Sequence, residues 1–167
     1  MRTPILSVAA TAALAAGLVA SAPARAATAT SQFRVTLTLQ AECKLTSASD
    51  LAFGTDGVID ATITATSTIG VQCTNTTPYN IGLNAGTGAG ATVTTRKMTA
   101  GTGATVNYQL FRDSARTQVW GDTVNSNTQA GTGTGVVQSY TVYGSVPVQT
   151  TPAAGAYSDT VQVTVTY

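Results

Sequence analysis

Phe33, Val35, Leu37 and Leu39 share one side of the chain, and Arg34, Thr36, Thr38 and Gln40 share the other. Strict alternation of this kind makes a β-strand with one apolar face; a helix would scatter these side chains around its axis. The run lies near the start of the chain that remains once an export leader is set aside. A strand in that place can pair within its own domain or with another molecule. The two possibilities give the chain different functions.

The leader is read from residues 1–26. Arg2 supplies a positive start, an apolar run spans 5–20, and Ala24, Arg25 and Ala26 form a small-x-small cleavage site. The apolar run is short, rich in Ala and followed by Pro23, which fits a cleaved peptide better than a membrane anchor. Cleavage after Ala26 leaves 141 of the 167 residues, one ordinary domain with enough chain for a core.

Charged residues make up 9% of the chain, against about 25% in a typical soluble protein. Loss of Arg2 and Arg25 leaves six basic residues against seven acids. Thr takes the place of charge, with 31 copies after residue 26. Thr is β-branched and suits a pleated, half-exposed surface. The composition is that of an all-β extracellular protein, with no basic patch for nucleic acid. Cys43 and Cys73, an even pair in an exported chain, read as a disulfide. It closes a loop of roughly 30 residues, worth about 3.5 kcal/mol in the chain-entropy account. A metal or redox pair is disfavoured, because there is no C-x-x-C and the chain has no His.

Further strands follow by alternation and turn chemistry. A broken strand pair is expected over 45–53, with a turn at 54–57. A long strand is expected from about Ala65 to Cys73, then a turn at 75–78 and an inward face of Tyr79, Ile81 and Leu83. A short strand is expected over 92–98, and another through Val106, Tyr108 and Leu110. Residues 122–135 read as a long polar loop. Residues 138–148 resume alternation, with Pro147 marking an edge or end. A final strand runs over 157–167. Short strands at regular spacing argue for an antiparallel β-sandwich.

No catalytic constellation is visible. Without His there is no Ser-His or Cys-His nucleophile. The acids are Glu42, Asp50, Asp56, Asp60, Asp113, Asp122 and Asp159. An acid pair for glycoside cleavage is disfavoured because Asp50, Asp56 and Asp60 sit in turn sequence, and Asp113, between Arg112 and Arg116, suits a surface ion pair. Thr55, Asp56 and Gly57 lack the ligand spacing of a calcium loop. The Gly-rich pieces at 86–90, 101–103 and 131–135 are turns rather than phosphate loops. Tyr79, Tyr108, Tyr143 and Tyr157 suit a core or sheet surface. Trp120, beside the long loop, is the candidate surface ligand contact. No cofactor and no metal are expected.

The chain closely resembles the spore coat protein U domain family, which includes the pilins of archaic chaperone–usher pili. The resemblance runs from about Thr30 to Tyr167. It is carried by F-R-V-T-L-T-L-Q-A-E-C from Phe33, L-A-F-G from Leu51, V-Q-C-T-N-T-T-P-Y-N-I-G-L-N-A-G from Val71 and R-K-M from Arg96. Further carriers are V-N-Y-Q-L-F-R-D from Val106, R-T-Q-V-W-G-D from Arg116, T-V-Y-G-S-V-P from Thr141 and G-A-Y-S-D-T-V-Q-V-T-V-T-Y from Gly155. The resemblance implies an incomplete immunoglobulin-like antiparallel β-sandwich with Cys43 and Cys73 bridged. An N-terminal donor strand from a neighbouring subunit would complete it. The implied division is a signal peptide at 1–26, a donor segment at 27–40 and the sandwich at 41–167.

It further implies a periplasmic chaperone that caps an open groove. An outer-membrane usher would then exchange the chaperone for the next subunit. Phe33, Val35, Leu37 and Leu39 would be the donor residues. Tyr157, Val161, Val163, Val165 and Tyr167 would line the acceptor edge and meet the chaperone. The partners are chaperone, usher and other copies or related pilins. The expected route is export to the periplasm and then display on the cell surface, serving adhesion or biofilm formation. A one-domain chain suits a shaft or adaptor subunit rather than a two-domain tip. Two alternatives stay open: a spore-coat component, and a self-contained secreted sandwich that binds carbohydrate or a surface.

Overall fold

The computed structural model describes residues 24–167; the expected leader, up to residue 23, lies outside the described residues. The chain divides into two units, Met1–Leu37 and Thr38–Tyr167. In the first, residues 24–37 carry no helix or strand. Phe33, Val35 and Leu37 are 88%, 81% and 83% exposed. The strand expected at 33–39 is therefore not formed within this chain. Alternation supplies an apolar face, but a strand also needs ladder partners for its N–H and C=O groups.

The second unit holds eight strands: β1 (Cys43–Ala48), β2 (Ile63–Cys73), β3 (Pro78–Leu83), β4 (Arg96–Thr99), β5 (Thr105–Phe111), β6 (Gln129–Thr132), β7 (Val137–Val146) and β8 (Val163–Thr166). They form a five-stranded sheet in the order β1-β2-β7-β5-β4 and a three-stranded sheet in the order β6-β3-β8. Every pairing between them is antiparallel. Ile69, Val71, Leu110 and Val142 of the larger sheet share one buried cluster with Tyr79, Ile81 and Leu83 of the smaller. Burial of each such side chain stabilises the fold by about 1.5–3 kcal/mol.

The long strand β2 begins at Ile63, two residues before the expected Ala65, and its partner β7 ends one residue before Pro147. The inward face of Tyr79, Ile81 and Leu83 is that of β3, and Val106, Tyr108 and Leu110 lie in β5. Four other expectations need correction. Residues 45–53 give one strand, β1, rather than a pair. Leu51 and Phe53 pack on the core without a ladder. A register shift between Leu45 and Ser47 bends β1. Gly70 lies beneath it, where a Cβ would sit 2.5 Å from Thr46 Oγ1. The strand expected over 92–98 shortens to β4, because Thr92 and Thr95 pair with each other across a tight turn. The loop at 122–135 contains β6, which pairs with β3 from Pro78↔Thr132 to Ile81↔Gln129. The strand over 157–167 is regular only in β8. The residues before it are drawn aside by hydrogen bonds described below.

Two side chains of opposite character knit the core. The Trp120 indole is 1% exposed and donates from Nε1 to the Ile81 carbonyl at 2.8 Å. Trp120 is therefore an interior residue, not a surface ligand contact. Its ring needs a dry cavity, and β3 offers its N–H a carbonyl. Arg96 is wholly buried and donates to the carbonyls of Asn84, Val93, Leu83 and Trp120, each at 2.8 Å. Four neutral acceptors satisfy the guanidinium, while desolvation lowers its pKa.

The ion pair expected at Asp113 is absent. Its carboxylate instead accepts from the N–H of Gln118 at 2.8 Å and from the N–H and hydroxyl of Thr117. These bonds, that from Gln118 foremost, hold it below the usual carboxylate range. Arg112 donates to the Thr128 carbonyl at 2.7 Å, and the Arg116 guanidinium lies 5.9 Å from the Tyr143 ring centre. Such loop closure by a short carboxylate satisfies backbone donors that a surface ion pair would leave to water.

Candidate functional site: a groove between two strand edges

The sheets are unequal, and the consequence is an open side. β1 ends the larger sheet, β8 ends the smaller, and the two approach each other there. Among the described residues neither has a strand on its outer edge. A groove of about 400 Å³ opens between them. Its first wall is residues 48–51 with Phe53, and its second is residues 157–161 with Val163. Its floor is the inter-sheet core: Ser67 and Ile69 of β2, Leu83 of β3, Met98 of β4, Tyr108 and Leu110 of β5, and Val142 of β7. Ser67 and Met98 are half-buried on this floor, and Ile69, Leu83, Tyr108, Leu110 and Val142 are buried beneath it.

The β8 edge is built by alternation. Val163 and Val165 are half-buried and turn toward the core, while Thr164 and Thr166 are exposed. Val163 pairs with Leu83 and Val165 with Ile81 across the β3 ladder, which fixes the phase of the edge. Val161 and Tyr157 continue the apolar row and also pack on the core. Tyr167 does not; it is 59% exposed. On the β1 side, Leu45 shares the inward phase of Cys43 and pairs with the fully buried Val71, yet it is 44% exposed. An inward-facing leucine left this open marks where the sandwich lacks cover.

The disulfide holds one wall. Cys43 and Cys73 are direct partners in the β1–β2 ladder and are bonded to each other. They pin β1 to β2 at the point where residues 38–42 enter the sandwich. The far end of the groove is held by Asp159. Its Oδ1 accepts from the N–H of Thr87 at 2.7 Å, the hydroxyl of Thr87 at 2.8 Å and the N–H of Thr160 at 2.8 Å. Its Oδ2 accepts from the Tyr108 hydroxyl at 2.7 Å. Gly86 has a positive φ of 82°, and a Cβ there would overlap the Asp159 carboxylate. Burial alone would raise the Asp159 pKa, but the bonds from Tyr108, Thr87 and Thr160 outweigh it and hold the group below the usual range. Burial, then the bond to Asp159, pushes the Tyr108 phenol up. Alongside, Ser158 and Thr99 exchange two backbone hydrogen bonds, at 2.8 and 3.3 Å.

The structure thus brings together four of the five residues expected at the acceptor edge, Tyr157, Val161, Val163 and Val165. It leaves Tyr167 exposed at the chain end and moves Trp120 into the core. Leu51, Phe53, Tyr108 and Asp159 join the groove unannounced by the sequence. Among the described residues no group of three His, Cys, Asp or Glu side chains could hold a metal ion.

Residues 29–164 match the family model of the Spore Coat Protein U domain. The chain belongs to the spore coat protein U domain family. This family member is 32% identical over 167 residues to Protein U of Myxococcus xanthus, an alignment covering 92% of this chain and 93% of that protein. It is also similar to a solved chain in the CsuC–CsuE chaperone–tip adhesion subunit pre-assembly complex, from the archaic chaperone–usher Csu pili of Acinetobacter baumannii. The identity is 27% and the TM-score 0.56, over 78% of this chain. It spans 40% of the length of that solved chain. The sandwich is accordingly all-β and immunoglobulin-like, and the spore coat U domain is a structural rather than a catalytic unit.

Proposed function

We propose that this chain is a structural subunit of an archaic chaperone–usher pilus, polymerised by donor-strand exchange. The observation that carries the reading is the groove between the unpaired edges of β1 and β8. It is found in a chain whose N-terminal alternating run exposes Phe33, Val35, Leu37 and Leu39 at 80% or more. The segment at 27–40 of one copy would lie along β8 of a second copy and turn its four apolar side chains onto the groove floor. Burial of four such side chains contributes about 6–12 kcal/mol gross, to which ladder hydrogen bonds add. Donation from head to tail does not close on itself, so the product is a fibre.

Before assembly the same groove would be capped by a periplasmic chaperone, engaging the row Tyr157, Val161, Val163, Val165 and Tyr167. An outer-membrane usher would then carry out the exchange. The chain would pass through the periplasm to the cell surface, where the fibre serves adhesion or biofilm formation. The similarity to a chain of the Csu chaperone–subunit complex supports this route.

The similarity to Protein U over nearly the whole chain favours a second reading, in which the same strand exchange builds a coat rather than a pilus. Both readings need the donor face. Surface-sheared material run on an SDS gel without boiling should show a ladder of multimers that collapses to monomer on boiling, and Leu37→Arg should remove the ladder. An intact ladder from Leu37→Arg would overturn donor-strand exchange. Electron microscopy of the unsubstituted material then separates filaments from a coat layer.

A further inference from the structure

The two ends of the groove are built differently. At the β8 end, the edge residues are held by the β3 ladder alone, and Tyr167 is open to solvent. At the other end, residues 157–160 belong to no strand but are tied by side-chain and backbone bonds, the Tyr157 hydroxyl donating to the Ala153 carbonyl. Ser158 is bonded to Thr99 of β4, and Asp159 is bonded to Thr87 of the β3–β4 loop and to Tyr108 of β5. β4 and β5 belong to the larger sheet, whereas residues 157–162 lead into β8 of the smaller. This short segment therefore crosses from one sheet to the other, and Asp159 is its anchor.

The chemistry at the anchor is unlike that of the rest of the groove. The floor is apolar, yet Tyr108 and Asp159 both line it and bond to each other inside it. Each carboxylate oxygen is committed: one takes three donors, the other the phenol. A charge-assisted set of this kind is stronger and more directional than neutral bonds. Tyr157 and Val161 flank Asp159 by two residues on either side, and both supply apolar surface to the second wall. Tyr157 is also held by its hydroxyl, which donates to the Ala153 carbonyl, and Val161 is followed by Gln162, which exchanges bonds with Asn84; Asp159 is the charged tie between them.

We infer that Asp159 is the positioning residue of the strand-accepting groove: its bonds to Tyr108 and Thr87 hold Tyr157 and Val161 at the width an inserted strand needs. The inference rests on the groove's strand-accepting role proposed above. It assigns no contact between Asp159 and the inserted strand. Loss of the carboxylate would free residues 157–161 to swing, and the wall would no longer be formed in advance. Preorganisation of this kind acts on binding by removing the ordering that the occupant must otherwise impose.

The test uses the full mature chain with Val35→Asp and Leu37→Asp, which spoil its own donor face and leave the groove open. The probe is a fluorescein-labelled synthetic peptide of residues 28–42, and the readout is its dissociation rate. Asp159→Ala is expected to speed dissociation at least tenfold, and Tyr108→Phe by a smaller factor. The comparison variant is Val146→Ala, a core truncation in β7 away from the groove lining. It should lower the melting temperature while leaving the dissociation rate within about twofold. If Asp159→Ala leaves dissociation unchanged, or if Val146→Ala speeds it in the same proportion to its loss of stability, Asp159 is merely structural and the inference is overturned. If the peptide does not bind even when residue 159 is Asp, the strand-accepting role itself falls, which no result confined to the Asp159 variant would bring about.

Discussion

Trp120 donates its indole N–H to the main-chain carbonyl of Ile81, 39 residues earlier, at 2.8 Å. The pair joins the stretch after β5, where the Trp120 main-chain N–H also bonds the Leu110 carbonyl, to β3, the central strand of the smaller sheet. Trp120→Ala is expected to cost about 3–5 kcal/mol, as for other buried aromatic truncations. Trp120→Phe keeps most of the apolar area but leaves the Ile81 carbonyl without this donor, at about 1–3 kcal/mol. Urea unfolding followed by far-UV circular dichroism measures both. A loss below about 1 kcal/mol for Trp120→Ala would contradict the core placement.

The sequence context of Trp120 explains why it read as a surface residue. It is followed by Gly121 and a run of Asn, Ser, Thr and Gly, which carries no periodic signal. Its cavity is made by residues distant in the chain, and only assembly of the sheets creates it. Strands with strong local alternation were legible for the opposite reason. Tyr79, Ile81 and Leu83, and Ile69, Val71 and Cys73, mark their own inward face. The inward phase of Val161, Val163 and Val165 was legible in the same way. Asp159 was not: its partners Tyr108 and Thr87 lie 51 and 72 residues away, and nothing in A-Y-S-D-T announces them. The N-terminal run has a strand's alternation but no strand is formed there, because alternation records a face and says nothing about who supplies the ladder.

Arg96 has no carboxylate among its hydrogen-bond partners; four carbonyls hold it. Arg96→Met should therefore destabilise through the stranded carbonyls rather than through a lost ion pair. Each unsatisfied buried acceptor costs about 1–3 kcal/mol, so the total should exceed about 3 kcal/mol. Arg96→Lys should recover little, since one ammonium cannot reach the fork of acceptors that the guanidinium spans. Denaturation midpoints for the two variants, compared at 0.1 M and 1 M salt, check the argument. Equal losses at both salt concentrations are expected, and a loss that shrinks strongly with salt would point instead to long-range charge.

The disulfide should support the groove as well as overall stability. Its loop of 30 residues corresponds to about 3.5 kcal/mol of chain entropy. Replacing both Cys43 and Cys73 by Ala should lower the unfolding free energy by that order. It should also speed amide exchange in residues 43–48 more than in β7, because among the described residues β1 has a strand partner on one side only. Uniform acceleration across all strands would mean that the bridge acts only on the unfolded chain.

Acid should loosen the Asp159 anchor. Its folded-state pKa is depressed, so the stability it contributes is present above the unfolded carboxylate pKa, about 3.9, and is lost as pH falls through the lower folded value. Asp113, also depressed by the bonds from Gln118 and Thr117, contributes in the same direction. The melting temperature should fall between about pH 5 and pH 2. Asp159→Asn should be less stable than the parent at pH 7 and should show a flatter decline, so that the two curves converge at low pH. Parallel curves would mean that Asp159 titrates alike in the folded and unfolded chain.

The proposed head-to-tail exchange makes a stricter demand than polymer formation, because donor and acceptor would be separate surfaces on one chain. Leu37→Arg spoils the donor and leaves the β8 edge intact. Val163→Arg places a charge on the half-buried face of β8 and spoils the acceptor. Each alone should stay monomeric. Mixed in equal amounts, they should form dimers and nothing larger. The sound segment of the Val163→Arg chain enters the sound groove of the Leu37→Arg chain, and neither product has a free donor and a free groove to continue. Native mass spectrometry distinguishes the outcomes. Longer oligomers in the mixture would mean that one substitution failed to block its surface. Persistent monomer would mean that residues 33–39 and the β1–β8 groove are not partners, and the reading of this chain as a strand-exchanging subunit would fall with them.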